Sequence, residues 1–327
     1  MTTVQQSVLD QTLPVAITGG PGTGKSVVSI WRHIRNHELE TRHSLLLTYN
    51  KALRFVLAQA AYAQHAGSSE HVYKTFEWMQ TYSPFMPRYD EIIIDEAQDI
   101  SVERHETLMG LTDHISYGAD DEQILYPDAH STQTQLTALY PNNRPYTLDQ
   151  NHRNTYEIMR FVKAAMPNRL ITNNLLERLK QERPASAKPK CVYTGGDYER
   201  QLQIIRDLVA QFQNETHNIG ILLPLKDEVI EMHRILREMG INCTMYHHEF
   251  GEIDLIENVH VTTLKSSKGI EFDTVIIPYF SNWRENIRNL YTVKENDYYV
   301  ALTRAKRNLY LLCAQPLNIA ADTFDII

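Results

Sequence analysis

Short apolar runs rich in β-branched residues recur along the chain, separated by longer stretches of mixed polar and apolar positions. The runs at 13–18, 44–48, 91–95, 115–119, 191–194, 219–223, 259–263, 274–278 and 308–313 predict strands. Between them, apolar residues spaced for one helical face predict helices, clearest at 51–64, 198–213 and 228–239. Strand and helix in alternation predict an α/β fold of parallel sheets flanked by helices. The stretch Pro141-Asn142-Asn143-Arg144-Pro145 reads as a turn-rich break, and 183–189, with two prolines, as a linker-like one. The simplest organisation is two α/β domains, 1–145 and 146–327.

Composition adds bounds to this picture. At 327 residues the chain has room for about two domains of ~150 residues each. Hydrophobic residues make up 43% and charged residues 22%, ordinary for a globular protein. No apolar run approaches the ~20 residues needed to span a bilayer. The first residues lack a basic-then-apolar leader, so a cytoplasmic location without a membrane partner is expected. Cys191, Cys243 and Cys313 lack metal-binding spacing and read as reduced thiols. The formal charge of −8 argues against a broadly basic surface, although a local basic groove can coexist with it.

The strongest chemical signal is Gly19-Gly20-Pro21-Gly22-Thr23-Gly24-Lys25-Ser26, which follows a predicted strand and opens a predicted helix. It fits the phosphate-loop pattern G-x-x-x-x-G-K-[ST]. Glycines allow the backbone to aim N–H groups at a phosphate, the helix start adds a positive dipole end, and Lys25 can reach the β- and γ-phosphates. Ser26 has the hydroxyl that binds Mg²⁺ in such loops. A glycine-rich turn without a ligand is the bland alternative, and the strand–loop–helix context weighs against it. Ile92-Ile93-Ile94-Asp95-Glu96 places two carboxylates at the end of a buried strand. Asp95 is expected at the Mg²⁺ and Glu96 at the attacking water. Alone, this pair would read equally well as an acidic helix start.

Asp95-Glu96-Ala97-Gln98-Asp99 resembles motif II of the UvrD/Rep-like superfamily one DNA helicases, and other segments resemble that family's motifs in order. The resemblance implies two tandem RecA-like domains with a P-loop NTPase site, and ATP and Mg²⁺ as cofactors. Gln5 resembles the adenine-reading glutamine of the Q motif, with Gln6 an equal rival. The run 45–52, which holds Asn50, and Thr75-Phe76 resemble strand-contacting segments. Asp120, Gln123 and Tyr126 stand in the motif III pattern, where Ala119 replaces a glycine and Pro127-Asp128-Ala129 replaces a stacking tryptophan. Gln123 is thereby implied to sense the γ-phosphate.

Asn151-His152-Arg153-Asn154-Thr155 is similar to motif IV, with His152 where a tyrosine usually stacks on adenine and Arg153 at the γ-phosphate arginine. The segment 261–273 resembles motif V. It implies strand contacts by Thr263 and Ser266 and nucleotide contacts by Gly269 and Glu271. The segment 298–306 resembles motif VI and implies that Arg304 is an arginine finger. A guanidinium gives fixed, permanently charged donors for the equatorial oxygens of a transferring phosphoryl group.

The intervals from Asn50 to Asp95 and from Arg153 to Val261 are too short for the large inserted subdomains of this family. A minimal two-domain motor is therefore expected, with ATP between the domains and single-stranded DNA as partner, RNA being the competing strand. The function expected first is an ATP-dependent DNA helicase or translocase. The alternative is a nucleic-acid-stimulated ATPase subunit that powers a partner such as a nuclease. A nucleotide-binding switch without motor action comes third, disfavoured by the intact Lys25, Asp95, Glu96, Gln123, Arg153 and Arg304.

Overall fold

Strands that are apolar at every position need cover on both faces, and parallel sheets flanked by helices give it. A computed structural model of the chain has this arrangement; it describes all residues except 41, 83–87, 126–129, 184–185, 215, 248–252 and 254. Two compact units emerge, Met1–His152 and Arg153–Ile327.

The first unit contains β1 (Val15–Thr18), β2 (Ser44–Thr48), β3 (Val72–Lys74), β4 (Glu91–Ile94), β5 (Ile115–Ala119) and β6 (Arg144–Thr147). Their order in the sheet is β3-β2-β4-β5-β1-β6, and every pairing is parallel. Alternate residues serve opposite faces, as a period of two demands. Leu45, Leu47, Ile92 and Ile94 pack with Trp78, Leu108 and Leu136 on one side. Leu46 and Ile93 pack with Ile30, Ile34, Leu53 and Leu57 on the other. Trp78 is thus a core aromatic.

The second unit contains β7 (Lys190–Tyr193), β8 (Ile219–Leu223), β9 (Thr244–Tyr246), β10 (Val259–Thr263), β11 (Phe272–Ile277), β12 (Ala305–Cys313) and β13 (Asp325–Ile326). They run β13-β7-β12-β11-β8-β10-β9, again all parallel. Helices Tyr198–Phe212 and Lys226–Glu238 turn Leu202, Ile205, Val209, Val229, Met232 and Leu236 onto Ile219, Ile221, Val259 and Val261. Each unit is a RecA-like α/β domain, and the first carries a P-loop.

The stretch expected as a break at 141–145 leads directly into a strand. Arg144 to Thr147 pair with Val15 to Thr18, so the first unit extends to His152 rather than ending at 145. β6 lies at the sheet edge, where Pro145 can sit without removing a ladder hydrogen bond. Of the second break, Pro184 and Ala185 lie outside the described residues.

Candidate functional site

β4, β5 and β1 are neighbours in the first sheet, so the loops leaving their carboxyl ends meet. After β1 the chain turns through the glycine-rich loop into helix Lys25–Glu38. Two glycines are required there, Gly19 by the close approach of backbone and Gly24 by its own backbone conformation. A Cβ on Gly19 would lie 2.3 Å from the Leu148 carbonyl oxygen, and one on Gly24 would lie 2.5 Å from Gln5 Nε2. Gly24 also has φ +89°, in the left-handed region, and caps the helix without a side-chain bond to its first N–H groups. The Thr23 hydroxyl donates to the Gly20 carbonyl at 2.9 Å and tightens the loop.

Lys25 is buried, and its ammonium donates to the carbonyls of Gly19 (2.6 Å) and Gly20 (3.1 Å) and lies 3.6 Å from Asp120 Oδ2. The same Asp120 oxygen accepts from Gln123 Nε2 at 2.5 Å. The Asp120 N–H donates to Gln98 Oε1, while Gln98 Nε2 donates to Glu96 Oε2 at 2.6 Å. One buried chain of contacts thus joins Lys25, Asp120, Gln123, Gln98 and Glu96. Asp120 and Gln98 stand inside the stretches 117–126 and 95–99, and the fold alone brings them together as a bridge between Lys25 and Glu96. Glu96 has φ +57° and ψ +45°, a left-handed conformation that costs a non-glycine residue about 1–3 kcal/mol and aims its side chain off the end of β4.

Asp95 is 1% exposed, and Ser29 donates to its Oδ1 at 3.3 Å. Burial, then the neighbouring Glu96 charge, push its carboxyl up to about 7, against the lowering influence of Ser26 and Lys25. Among the described residues its Oδ2 has no hydrogen-bond partner within 3.5 Å, an unusual condition for a buried carboxylate oxygen. A carboxylate oxygen left open beside the Ser26 hydroxyl is a hard oxygen donor set that fits Mg²⁺.

Gln5 is buried at the same loop, its Nε2 donating to the Thr23 carbonyl at 3.1 Å while its Oε1 accepts from Thr2 N–H. Gln6 instead bonds Asp10 at the surface. A cavity of about 210 Å³ opens between Thr3, Gln5, Thr23, Asp149, Gln150 and His152. The His152 N–H donates to the Gly22 carbonyl at 2.8 Å, which holds this wall to the loop.

The second unit gathers its own cluster. Arg153 Nε donates to Glu271 Oε1 at 2.7 Å, and a second guanidinium nitrogen pairs with the same oxygen. The Asn154 amide donates to the carbonyls of Thr303 and Ala305, on either side of Arg304, at 2.9 Å each. Arg304 is 1% exposed and donates through Nε to the Val300 carbonyl at 3.0 Å, at the end of helix Glu295–Leu302. Gly269, with φ +86°, makes the turn before β11.

The strand-contact candidates Asn50, Thr75, Thr263 and Ser266 stand at or shortly after carboxyl ends of strands, and the side chains of the first three bond the protein's own backbone. Asn50, after β2, accepts from Leu53 N–H at 2.6 Å and caps helix Lys51–Gln64. Thr75, after β3, donates to the Thr48 carbonyl at 3.2 Å. Thr263, ending β10, accepts from Ser266 N–H at 3.0 Å. Tyr126 and the three residues after it lie outside the described residues.

Residues 14–182 match the family described as Schlafen group 3, DNA/RNA helicase domain, and residues 247–316 match the UvrD-like helicase C-terminal domain. A RecBCD enzyme subunit RecB from Chlamydia pneumoniae is 40% identical over 65 residues, which cover 20% of this chain and 6% of that protein. Among solved structures, the PRRSV helicase is similar at 14% identity and TM-score 0.46 over 95% of this chain and 54% of that one. An arterivirus nonstructural protein 10 helicase is similar at 13% identity and TM-score 0.42, over 98% and 63%. The chain therefore spans less than two thirds of each of these relatives. Among the described residues, no helix is long and apolar enough to cross a membrane.

Proposed function

We propose, from the premise that the chain belongs to the family described as Schlafen group 3, DNA/RNA helicase domain, and carries a UvrD-like C-terminal domain, that it is an ATP-dependent helicase or translocase of the superfamily one type acting on single-stranded DNA, with RNA as the competing strand. The observation that carries this reading is the buried site around Lys25, Asp95 and Glu96, with an unpartnered Asp95 Oδ2 beside Ser26.

In this reading the loop N–H groups and Lys25 take the phosphates in place of the carbonyls that Lys25 now contacts. Gln5 and His152 line the cavity that takes the base. Ser26 and Asp95 hold Mg²⁺, which when bound neutralises phosphate charge. Glu96 accepts a proton from the attacking water, and Gln98, bonded to it, keeps its carboxylate oriented. Gln123 responds to the γ-phosphate through Asp120, the residue it shares with Lys25. Arg153 and Arg304 stabilise the charge that develops in the transition state. Asn50, Thr75, Thr263 and Ser266 contact the strand backbone, and hydrolysis coupled to those contacts yields movement along it.

A second reading is an ATPase subunit of a larger assembly, working with a partner such as a nuclease. The match to a protein named as a subunit of an enzyme favours it.

The test is ATP turnover with and without single-stranded DNA, in the parent and in Glu96→Gln and Lys25→Ala. Glu96→Gln is expected to bind ATP and fail to hydrolyse it; Lys25→Ala is expected to lose both. Parent-like turnover by Glu96→Gln would remove the assigned base. A forked-duplex assay on the purified chain then separates the readings, since robust unwinding alone favours the helicase and strand-stimulated turnover without unwinding favours the subunit.

A further inference from the structure

The carboxyl ends of the first sheet carry the nucleotide residues, while the amino ends of β2, β3 and β4 carry a group of histidines with no role in that chemistry. His43 immediately precedes β2, His71 immediately precedes β3, and Tyr89 stands two residues before β4. His43 Nε2 and His71 Nε2 face each other at 3.4 Å, with ring centroids 4.6 Å apart and planes at 86°. Both rings are half-buried.

The outer nitrogens decide what the inner pair can be. His43 Nδ1 lies 3.3 Å from the Arg88 carbonyl oxygen, which can only accept. The Nδ1 therefore carries the proton, and in the neutral ring Nε2 presents a lone pair. His71 Nδ1 lies 3.2 Å from the Tyr89 hydroxyl, which can accept its proton or donate to it; when it accepts, His71 Nε2 also presents a lone pair. Two imidazole lone pairs facing each other repel unless a proton or a cation sits between them. A tetrahedral ion with bonds of about 2.0–2.1 Å to nitrogen separates two of its ligands by about 3.4 Å. Metal-bound imidazoles also characteristically donate their other N–H to a carbonyl or a similar acceptor, as both rings here are placed to do.

We propose that His43 and His71 form a chelating pair for a divalent cation of the zinc class. His37 stacks on His71 with centroids 5.2 Å apart, and its own Nε2 faces the Ser44 carbonyl at 3.0 Å, so it walls the pair without adding a third nitrogen. Among the described residues no group of three or more histidine, cysteine or acidic side chains has a metal-binding arrangement, so the protein supplies two donors and water the rest. Such an ion ties the start of β3, an edge strand, to that of β2. Because it binds the folded state, it stabilises the first unit.

The experiment is titration of zinc chloride into the chelator-treated 327-residue chain in excess Mg²⁺, by calorimetry, with thermal unfolding read in parallel. Binding near one equivalent and a rise in Tm are expected for the parent and for His217→Ala, a control in the second unit. His43→Ala and His71→Ala should each weaken binding at least tenfold and remove the Tm rise. Tyr89→Phe leaves both ligands in place and removes an outer partner; about tenfold weaker binding is expected, and this variant decides the matter if the histidine variants misfold. No zinc binding by the parent, or parent-like binding by His43→Ala, His71→Ala and Tyr89→Phe alike, would overturn the proposal and leave the pair as a hydrogen bond.

Discussion

The two units bury their charged groups differently. In the first, Lys25 is held by backbone carbonyls of its own loop and by Asp120, and Asp95 keeps one oxygen without a hydrogen-bond partner among the described residues. These are groups that a nucleotide and a metal ion can satisfy better than the protein does. In the second, Arg304 is enclosed and bonded to the turn from which it emerges, and Arg153 is paired with Glu271 in a more open setting. The first unit is thus poised for a ligand, whereas in the second the same residues that would meet a phosphate also hold the fold.

The largest effect that can break this contrast comes from the arginines. Arg153→Ala and Arg304→Ala should each lower ATP turnover by roughly a thousandfold if both act on the γ-phosphate. Their stabilities should diverge. Removing Arg304 leaves a cavity and unpaired buried carbonyls, so its Tm should fall by several degrees, whereas the Arg153 variant should unfold near the parent temperature. ADP affinity, which does not involve a γ-phosphate, should hold in both. Equal Tm values, or a parallel loss of ADP affinity, would show that the two arginines do not divide as described.

How much of this was readable from the chain follows from what each feature depends on. The phosphate loop, Asp95 and Glu96 are contiguous in sequence and end apolar runs, so their positions at strand termini were legible. β2, β5, β8 and β10 were bounded to the residue because apolar runs with polar flanks leave little choice. β3 and β9 have three residues each, too few for a period to register, and β6 was hidden by Pro145, which only an edge position tolerates. The chain of contacts through Asp120 and Gln98 depends on β4 and β5 being neighbours, a tertiary fact. The pairing of Arg153 with Glu271 likewise joins residues far apart in sequence.

Two strand glycines sharpen the comparison. In β8, a Cβ on Gly220 would meet three ring atoms of Phe272 at 2.5–2.7 Å. In β5, one on Gly118 would meet Asp95 Oδ1 at 3.5 Å and Lys25 Cβ at 3.6 Å, ordinary contacts. Gly220→Ala should therefore cost about 1–3 kcal/mol of stability, by overpacking, in denaturant titration. Gly118→Ala should be near neutral for folding, with its effect confined to Mg²⁺-dependent turnover. Equal destabilisation would mean that the first unit is as tightly filled around Asp95 as the second is around Phe272.

Acid should also act with opposite signs on two buried groups, one in each unit. Burial lowers His33 to about 3, so between that pH and 6.5 the unfolded chain holds a proton that the folded one does not. Its contribution is complete above pH 6.5 and is lost as pH falls, by about 2 kcal/mol at pH 5. Asp297 is raised to about 6 by burial, so the folded second unit keeps a proton there that the unfolded chain has released. Lowering the pH from 7 to 5 therefore favours folding at Asp297, by about 1 kcal/mol. His33→Asn should flatten the stability profile in one direction and Asp297→Asn in the other; slopes that change alike would contradict the assignment.

The smallest effect concerns Asn50, which holds its helix and is also a candidate for strand contact. Asn50→Asp retains an acceptor for Leu53 N–H and places a negative charge at a helix start, where it is favourable, so Tm should hold or rise slightly. A carboxylate facing a phosphate at about 4 Å in water costs near 1 kcal/mol, so affinity for single-stranded DNA should fall about fivefold at low salt. Raising the salt should shrink that difference, because screening acts on the added repulsion. Anisotropy titration of a labelled oligonucleotide at two salt concentrations makes the measurement. Unchanged affinity with unchanged Tm would reduce Asn50 to its capping role and move the first unit's strand contacts elsewhere along the carboxyl ends of its sheet.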